Sequence, residues 1–453
     1  MAEPVPSVQR RLVAATALAA ALAPLNSTML SVAIHPIGTA FASADADVTR
    51  ALVTSYLIGS IVMQAPGGLL ADRLGHRRVV VLGQIGFALG SSLALASTSL
   101  WMLVVARVAM ATAGAFIVPG ATALLRAEVP PAQRGRAFGL FGASMALAAT
   151  IGPPLGGLVT TAFGWRAVFA INLVVLPISA LLAGAAPSVA RSERRAMPFD
   201  WRGAALFAVA LASLVIGAGR GGVMHPRWLG LGVATLVAFV FAERSHASPI
   251  VDLSLLRTRA FLASGLVIAL HNLTMYSVLF ELPAMVRAVL HVDASTSGRL
   301  LLAMMAPMVV AGPISGRLVD AIGARVVAAT GAAIALAGMI VLLLVPLRSI
   351  ASPVPALVVL GIGFGLSSAP SQSAAMSAVA IERSGVAAGM LSTMRYLGGV
   401  VGTLVVGATL RTDAGIDVAL RGHRHALTVF VVALAAAVVS ASALPRSGSS
   451  RGS

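Results

Sequence analysis

The sequence predicts an all-α integral membrane protein with about 14 transmembrane helices, in two six-helix bundles with two extra helices inserted between them. Hydrophobic residues make up 58% of the 453 residues and charged residues only 10%, whereas a soluble domain carries about 25% charged residues. The apolar segments approach the ~20 residues that cross a bilayer. Each connection is then left with roughly 11 residues, which excludes a separate soluble domain.

The apolar segments give the approximate position of each helix. The first segment is too long for a signal peptide and contains Pro24 and Asn26, so we interpret it as a retained helix. We place the helices at residues 11–35, 51–71, 79–98, 100–125, 136–162, 166–186, 203–220, 228–242, 260–290, 299–319, 326–346, 353–378, 385–410 and 425–444.

Arginine supplies all 32 basic residues, and its distribution predicts the orientation of the chain. Threading the helices through a membrane assigns 20 arginines to the side that holds both termini and 10 to the other side. Arg107 and Arg395 fall inside helices. Because arginine-rich loops stay in the cytoplasm, we expect a multi-pass cell-membrane protein with cytoplasmic termini. The net charge of +17 then gives no reason to expect a nucleic-acid partner.

A short sequence repeat predicts how the helices are organised. GLLADRLGHRR at 68–78 is followed by GRLVDAIGAR at 316–325, so that Asp72 and Asp320 are 248 residues apart. That spacing corresponds to about eight helices, whereas two halves of six would place the copies six helices apart. The extra pair therefore lies between the halves. We expect an N-terminal bundle at 1–190, an inserted pair at 191–249 and a C-terminal bundle at 250–453.

At these residues the sequence resembles the major facilitator superfamily, specifically its 14-helix drug:proton antiporter branch. GLLADRLGHRR resembles the signature between helices 2 and 3, and LVVARVAMATAGA at 103–115 resembles the helix 4 motif with its arginine at Arg107. ATIGPPLGG at 149–157, with Gly152, Pro153, Gly156 and Gly157, resembles the helix 5 motif of exporters. Four further stretches are similar to pieces of this branch: WRAVFAIN, FDWRGA, PIVDLSLLRTRAF and ERSGVAAGMLSTMRYLGGVVG.

The sequence departs from the family pattern at a few positions. Asn26 in helix 1 stands where the branch commonly has an aspartate. Met110 and Ala111 replace the usual glutamine and glycine of the helix 4 motif, and glutamines are common at the positions of Arg287 and Tyr396.

The first copy of the repeat is interpreted as a conformational latch, with a solvated loop as the alternative. Its members are Gly68, Asp72, Arg73, Gly75 and Arg77. Gly68 allows close helix approach and Gly75 a tight turn, while Asp72 can accept bonds from the N-terminal amides of another helix or from an arginine. Asp320 marks a weaker copy, because Ala321 replaces the arginine.

Two arginines inside helices are candidate cavity residues, together with Asn26. Arg107 lies about 10 Å into its helix. It either snorkels to the headgroups or faces a cavity, where it would organise packing or sense a proton. Arg395 is deeper, so cavity lining is favoured over lipid exposure.

In the helix 5 motif, small residues allow close packing and adjacent prolines remove two helical donors.

Proton coupling requires a titratable group within the membrane, and the predicted helices contain one carboxyl residue away from their ends. We assign the other acidic residues to termini, loops or helix ends, which leaves Glu281 in helix 9. Burial favours its protonated form, although it could instead reach the outer headgroups. His271, near the middle of the same helix, is the second candidate. Ten residues turn a helix through about 1000°, which is about 280° after two full turns, so these two residues are on different faces and cannot form one pair. Arg107 or Arg395 is expected to adjust the proton affinity of Glu281.

The sequence shows no arrangement typical of an enzyme. It has no cysteine and no lysine, and His423 and His425 form its one histidine cluster. We place that cluster in an outer loop, where Arg421 and Arg424 would repel a metal ion. We therefore expect no enzyme activity, no cofactor and no metal site.

The resemblance implies a secondary active transporter that exports amphipathic organic compounds in exchange for protons. Alternating access would expose a substrate site between the bundles near the bilayer midplane. Few carboxylates lie within the membrane, so neutral or anionic compounds are favoured over strongly cationic ones. The expected partners are a small organic substrate, protons and the lipid bilayer, and we expect a monomer. A facilitator without proton coupling, and an exporter of an endogenous metabolite or lipid, remain alternatives.

Overall fold

The computed structural model consists of helices and the segments that connect them. It describes residues 7–43, 48, 50–183, 200–217, 225–246, 249, 251–252, 254–292, 296, 299–410 and 415–445. Over these residues there are fourteen α-helices and four short helical turns, and no β-strand. The predicted all-α fold with about fourteen helices is therefore confirmed.

The helices are numbered in chain order. The first seven are α1 Ser7–Ala40, α2 Ser55–Leu74, α3 His76–Leu95, α4 Leu100–Glu128, α5 Arg134–Phe163, α6 Ala167–Ala183 and α7 Trp201–Gly217. The other seven are α8 Pro226–Ser245, α9 Arg259–Leu290, α10 Leu302–Ile322, α11 Ala324–Leu344, α12 Val354–Ser377, α13 Ser384–Thr409 and α14 Ile416–Ser442.

Most of these helices are long and apolar enough to cross a membrane. Twelve helical segments of the described chain meet that description, and α6 and α7 contain shorter apolar segments at Ala167–Ser179 and Trp201–Leu214. The predicted ends at residues 184–186 and 218–220 lie outside the described residues. Because lipid cannot bond backbone amides, a fully helical backbone is what a membrane-spanning chain of this composition requires.

The chain divides into two compact units. Unit 1 comprises Met1–Pro198 and Ala380–Ser392, and unit 2 comprises Phe199–Val379 and Thr393–Ser453. Unit 1 contains α1 to α6 and the start of α13, and unit 2 contains the other helices. The boundary expected between residues 190 and 191 lies outside the described residues, and the three-part division at 1–190, 191–249 and 250–453 remains a prediction.

Unit 1 is held by apolar side chains and by polar pairs between helices. Leu30, Phe87, Leu103 and Phe169 are fully buried and come from α1, α3, α4 and α6. Two bonds attach α6 to α3, from Gln84 Nε2 to Ser179 Oγ at 2.8 Å and from Asn172 Nδ2 to Ser91 Oγ at 3.0 Å. A hydrogen bond of this kind between membrane helices contributes about 0.6 kcal/mol on average.

Unit 2 depends on close helix crossings around an apolar core. Val278, Met304, Leu357 and Phe430 are fully buried and come from α9, α10, α12 and α14. Gly361 lets α12 approach α10, because a Cβ atom there would lie 2.0 Å from the Met304 carbonyl oxygen. Small residues at such crossings permit the backbone contact that holds membrane helices together.

Two predicted helix ends are wrong. α14 begins at Ile416 rather than near 425, and α1 continues to Ala40 rather than ending near 35. The charged start of α14 was interpreted as a loop, but its arginines are exposed on one side while Ala419 and His423 are buried on the other. An amphipathic turn explains both features. His423 and His425 therefore belong to a helix and not to a loop.

The two copies of the repeat end in the same backbone conformation. Gly75 joins α2 to α3 with φ +94°, and Gly323 joins α10 to α11 with φ +89°. A side chain is strained at such angles, so glycine suits both turns.

The helix 5 motif lies where α5 crosses α1. A Cβ atom at Gly152 would lie 1.8 Å from Thr28 Oγ1, and one at Gly156 would lie 2.8 Å from both the Cα and the carbonyl oxygen of Met29. Gly157 has no atom within 4 Å of the equivalent position. The helix runs unbroken through Pro153 and Pro154. Gly152 and Gly156 therefore carry the close contact, and Gly157 does not.

This difference predicts opposite outcomes for two neighbouring substitutions. Gly156→Ala should destabilise the protein by about 1–3 kcal/mol, because the Met29 backbone cannot move aside for a methyl group. Gly157→Ala should leave stability unchanged or raise it by up to about 1 kcal/mol, because its methyl group meets open space and alanine suits a helix interior better than glycine. Thermal unfolding of the two purified variants checks the prediction, and equal melting temperatures would contradict the assigned crossing.

Candidate functional site

The Asp72 carboxylate binds the start of α13. Its Oδ1 accepts a hydrogen bond from the Gly385 amide at 2.6 Å, and its Oδ2 accepts one from the Val386 amide at 2.9 Å. His76 Nε2 lies 3.2 Å from Oδ1, and the Asp72 side chain is 1% exposed. Unpaired amides and the helix dipole make a helix N-terminus attractive to a carboxylate. The contact therefore stabilises this end of α13 against α2.

Glycines on both helices make that contact possible. A Cβ atom at Gly68 would lie 2.0 Å from the Gly385 carbonyl oxygen, and one at Gly385 would lie 2.2 Å from the Gly68 carbonyl oxygen. Gly389, one turn further on, has the same relation to Gln64, at 2.6 Å. Any side chain at Gly68 or Gly385 would push the helices apart and remove the amides from the reach of Asp72.

Arg126 on α4 contacts the same end of α13. Its Nη1 donates to Ser384 Oγ at 3.2 Å and to the Ala380 carbonyl oxygen at 3.5 Å. Sequence reasoning placed Arg126 at a helix end without a role. Arg73 and Arg77 are half-buried, while Asp320 in the second copy of the repeat is exposed.

Arg107 is buried among uncharged groups. It is 1% exposed, and its Nη1 donates to Asn26 Oδ1 at 2.5 Å. Asn26 Nδ2 in turn donates to the Val168 carbonyl oxygen at 3.4 Å. The guanidinium carbon lies 4.0 Å from the centre of the Tyr56 ring, a cation–π distance. The side chain therefore joins α1, α2 and α4 from inside, and the snorkelling alternative does not describe its position.

Arg395 and His271 have separate partners in unit 2. Arg395 is half-buried, and its Nη2 donates to Gln372 Oε1 at 2.9 Å. His271 is 6% exposed, with Nδ1 2.6 Å from Ser367 Oγ and the ring edge-on to Phe364. Both contacts attach a helix to α12.

Glu281 is fully buried and bonds to His423. The bond joins Glu281 Oε1 on α9 to His423 Nδ1 on α14, and the two side chains are 0% and 6% exposed. Glu281 Oε2 makes no hydrogen bond to another described residue. Because the Glu281 side chain is fully buried, it does not extend to the lipid headgroups. Glu281 and His271 have different partners, as expected of residues on different faces of α9.

Sequence reasoning missed His423 because it placed the residue in a loop. The signal that would have found it is the spacing of the buried residues Ala419, His423, Leu427, Phe430 and Leu434, which follow one another at helical intervals of three or four. The stripe includes the histidine and excludes the flanking arginines. No group of three or more metal-binding side chains occurs in the part of the chain that is described.

Comparison with known proteins identifies the family. The sequence profile described as Major Facilitator Superfamily matches residues 16–403. The chain is 31% identical over 399 residues to the multidrug resistance protein Stp of Mycobacterium tuberculosis, covering 85% of this chain and 73% of that protein. It is 29% identical over 411 residues to the tetracenomycin C resistance and export protein of Streptomyces glaucescens, covering 88% and 76%.

A solved structure shows the same fold. The human organic anion transporter MFSD10 superposes with a TM-score of 0.69 at 18% identity, covering 96% of this chain and 100% of that one. The fourteen described helices, the profile match over most of the chain and the relative above 30% identity lead to one conclusion. This chain belongs to the Major Facilitator Superfamily, a family of membrane transporters rather than enzymes.

Proposed function

We propose that the chain exports amphipathic organic compounds across the cell membrane in exchange for protons, by alternating access and as a monomer. The observation that carries this proposal is the 31% and 29% identity to proteins named for multidrug resistance and for antibiotic resistance and export. The α1–α5 crossing at Gly152 and Gly156 supports it, because the motif that forms it resembles that of exporters. Both termini lie in the cytoplasm in this proposal.

The Asp72 contact acts as the conformational latch of the cycle. Gly68 permits the approach, Gly75 forms the turn, and Arg73 and Arg77 complete the charged end of α2. The bonds to α13 stabilise the conformation in which its N-terminus lies against α2. When α13 moves away, the carboxylate and the amides must be rehydrated, so the latch biases one access state over the other. Asp320 is a weaker copy on the second repeat.

The substrates are proposed to be neutral or anionic. Arg107 and Arg395 contact an asparagine, a tyrosine ring and a glutamine, and none of these is a carboxylate. The Glu281 carboxyl group is already hydrogen-bonded to His423. A permanent organic cation would need a counter-charge within the membrane, and the buried arginines would repel it.

A transport assay tests the proposed function. Inverted vesicles with an imposed pH gradient should accumulate Nile red, a neutral dye, or carboxyfluorescein, an anion, faster than ethidium, a cation. An ionophore that collapses the gradient should stop this accumulation. Transport that is indifferent to the ionophore would instead indicate a facilitator, and failure to move any dye would favour an exporter of an endogenous metabolite or lipid.

Asp72→Asn should slow transport about tenfold and leave the amount of folded protein unchanged. The amide keeps a similar shape but loses the charge, which is worth up to about 2 kcal/mol at a helix N-terminus. Initial transport rates in vesicles with equal protein content measure the effect. Asp320→Asn, at the exposed equivalent position, should have a smaller effect, and equal rates for Asp72→Asn and wild type would remove the latch.

Arg107→Ala should abolish transport, whereas Arg107→Lys should retain part of it. A lysine supplies the charge for the Tyr56 ring and one bond to Asn26, but it lacks the planar fork. Transport rates and melting temperatures measured together separate loss of function from loss of folding. A stable alanine variant with wild-type transport would show that the buried arginine has no part in the cycle.

A further inference from the structure

We infer that Glu281 and His423 together form the proton-binding site of the transport cycle, an inference that rests on the proposed exchange of substrate for protons. The two side chains come from different helices, α9 and α14, and lie 142 residues apart in the sequence. Both side chains are buried. Burying ionisable groups inside membrane helices costs free energy, and such groups usually mark a functional site.

Both helices bury apolar side chains in the same stretches as the pair, together with the Ser277 hydroxyl one helical turn away on α9. One apolar core contains fully buried side chains from both helices, namely Val278 and Leu282 on α9 and Leu427 and Phe430 on α14. In such surroundings a net charge is strongly disfavoured. One proton on the Glu281 carboxyl, beside a neutral imidazole, leaves both side chains uncharged. The protonated, neutral pair is therefore the stable state while the site is closed.

The helices around the pair carry few other ionisable residues. α12 has none, and α11 has only Arg325, in its first turn. Arg395 on α13 bonds Gln372, and Tyr396 is beside it in the sequence. The remaining ionisable groups on α14 are exposed, namely Asp417, Arg421, Arg424 and His425. On α9 itself the others are Arg259, His271, Tyr276 and Arg287.

The proton balance of the site follows from these contacts. When the site opens to water, one proton leaves and the pair becomes a carboxylate beside a neutral imidazole. His423 Nδ1–H then donates to the carboxylate at Oε1 and stabilises the anion. Glu281 Oε2, which makes no hydrogen bond to a described residue, is the atom that receives the next proton. One proton is bound and one released in each cycle.

The position of the pair suits a proton that enters from outside. His423 lies about 10 Å from the start of α14, and Glu281 about 13 Å from the end of α9, at 1.5 Å per residue. Those are the ends that the arginine distribution assigns to the outer side. His271 is less suited, because its partners are a hydroxyl and a phenyl ring, and its protonation would bury an unpaired cation.

Infrared difference spectroscopy tests the site without a substrate. The spectrum of wild-type protein between acidic and alkaline buffer should contain the carbonyl band of a buried carboxyl, and Glu281→Gln should remove it. In His423→Leu the band should move to higher frequency, because the carboxyl group loses the hydrogen bond to its neighbour on α14. Glu281→Asp keeps a carboxyl and should restore a band.

Two exposed residues on α14 provide matched controls, since Asp417→Asn and His425→Gln should leave the band unchanged. A Glu281→Gln spectrum identical to that of wild type would overturn the assignment, as would a wild-type spectrum without a buried-carboxyl band.

A transport measurement connects the site to coupling. Glu281→Gln should lose accumulation driven by a pH gradient but keep exchange of labelled for unlabelled carboxyfluorescein or Nile red, which requires no net proton movement. If wild-type accumulation ignores the pH gradient, the proposed function fails even where the band is present. If wild type follows the gradient and Glu281→Gln does so equally, only the proton site fails.

Discussion

The structure depends on one constraint, that polar groups within membrane helices must find their partners inside the protein. Water is absent from the bilayer core, and an unpaired donor or acceptor there costs several kcal/mol. Polar side chains in this protein therefore form hydrogen bonds between helices, such as Gln84 to Ser179, Arg107 to Asn26 and Arg395 to Gln372. At the Asp72 contact, glycines let the two backbones come close enough for the bonds to the Gly385 and Val386 amides to form. Packing and polar chemistry are therefore determined together.

Much of the fold could be predicted from the sequence, because hydropathy and length are nearly sufficient to locate a membrane helix. The helix number and the glycine turns at Gly75 and Gly323 follow from such local information. The start of α14 was misplaced because arginines on one face of an amphipathic turn resemble a loop when the sequence is examined without its periodicity. The predicted end of α1 near residue 35 was also too early, since the helix continues past Pro36 to Ala40.

The candidate site was less accessible to sequence reasoning, since its partners are far apart in the chain. Asp72 could be expected to cap a helix, but the sequence does not specify that the helix begins at Ser384, more than 300 residues later. Asn26 and Arg107 were each singled out and form a direct bond, yet nothing local pairs them. For Glu281 the sequence indicated a buried carboxyl, and only the packing of α9 on α14 supplies His423.

A buried polar group holds two helices together through a specific bond, and at the Asp72 contact this can be measured. Hydrogen exchange at the Gly385 and Val386 amides reports those bonds without any assumption about substrate or proton. We expect slow exchange in wild-type protein and exchange about tenfold faster in Asp72→Asn, corresponding to about 1.4 kcal/mol, with the α12 amides unchanged. Equal exchange at Gly385 and Val386 in both proteins would contradict this expectation.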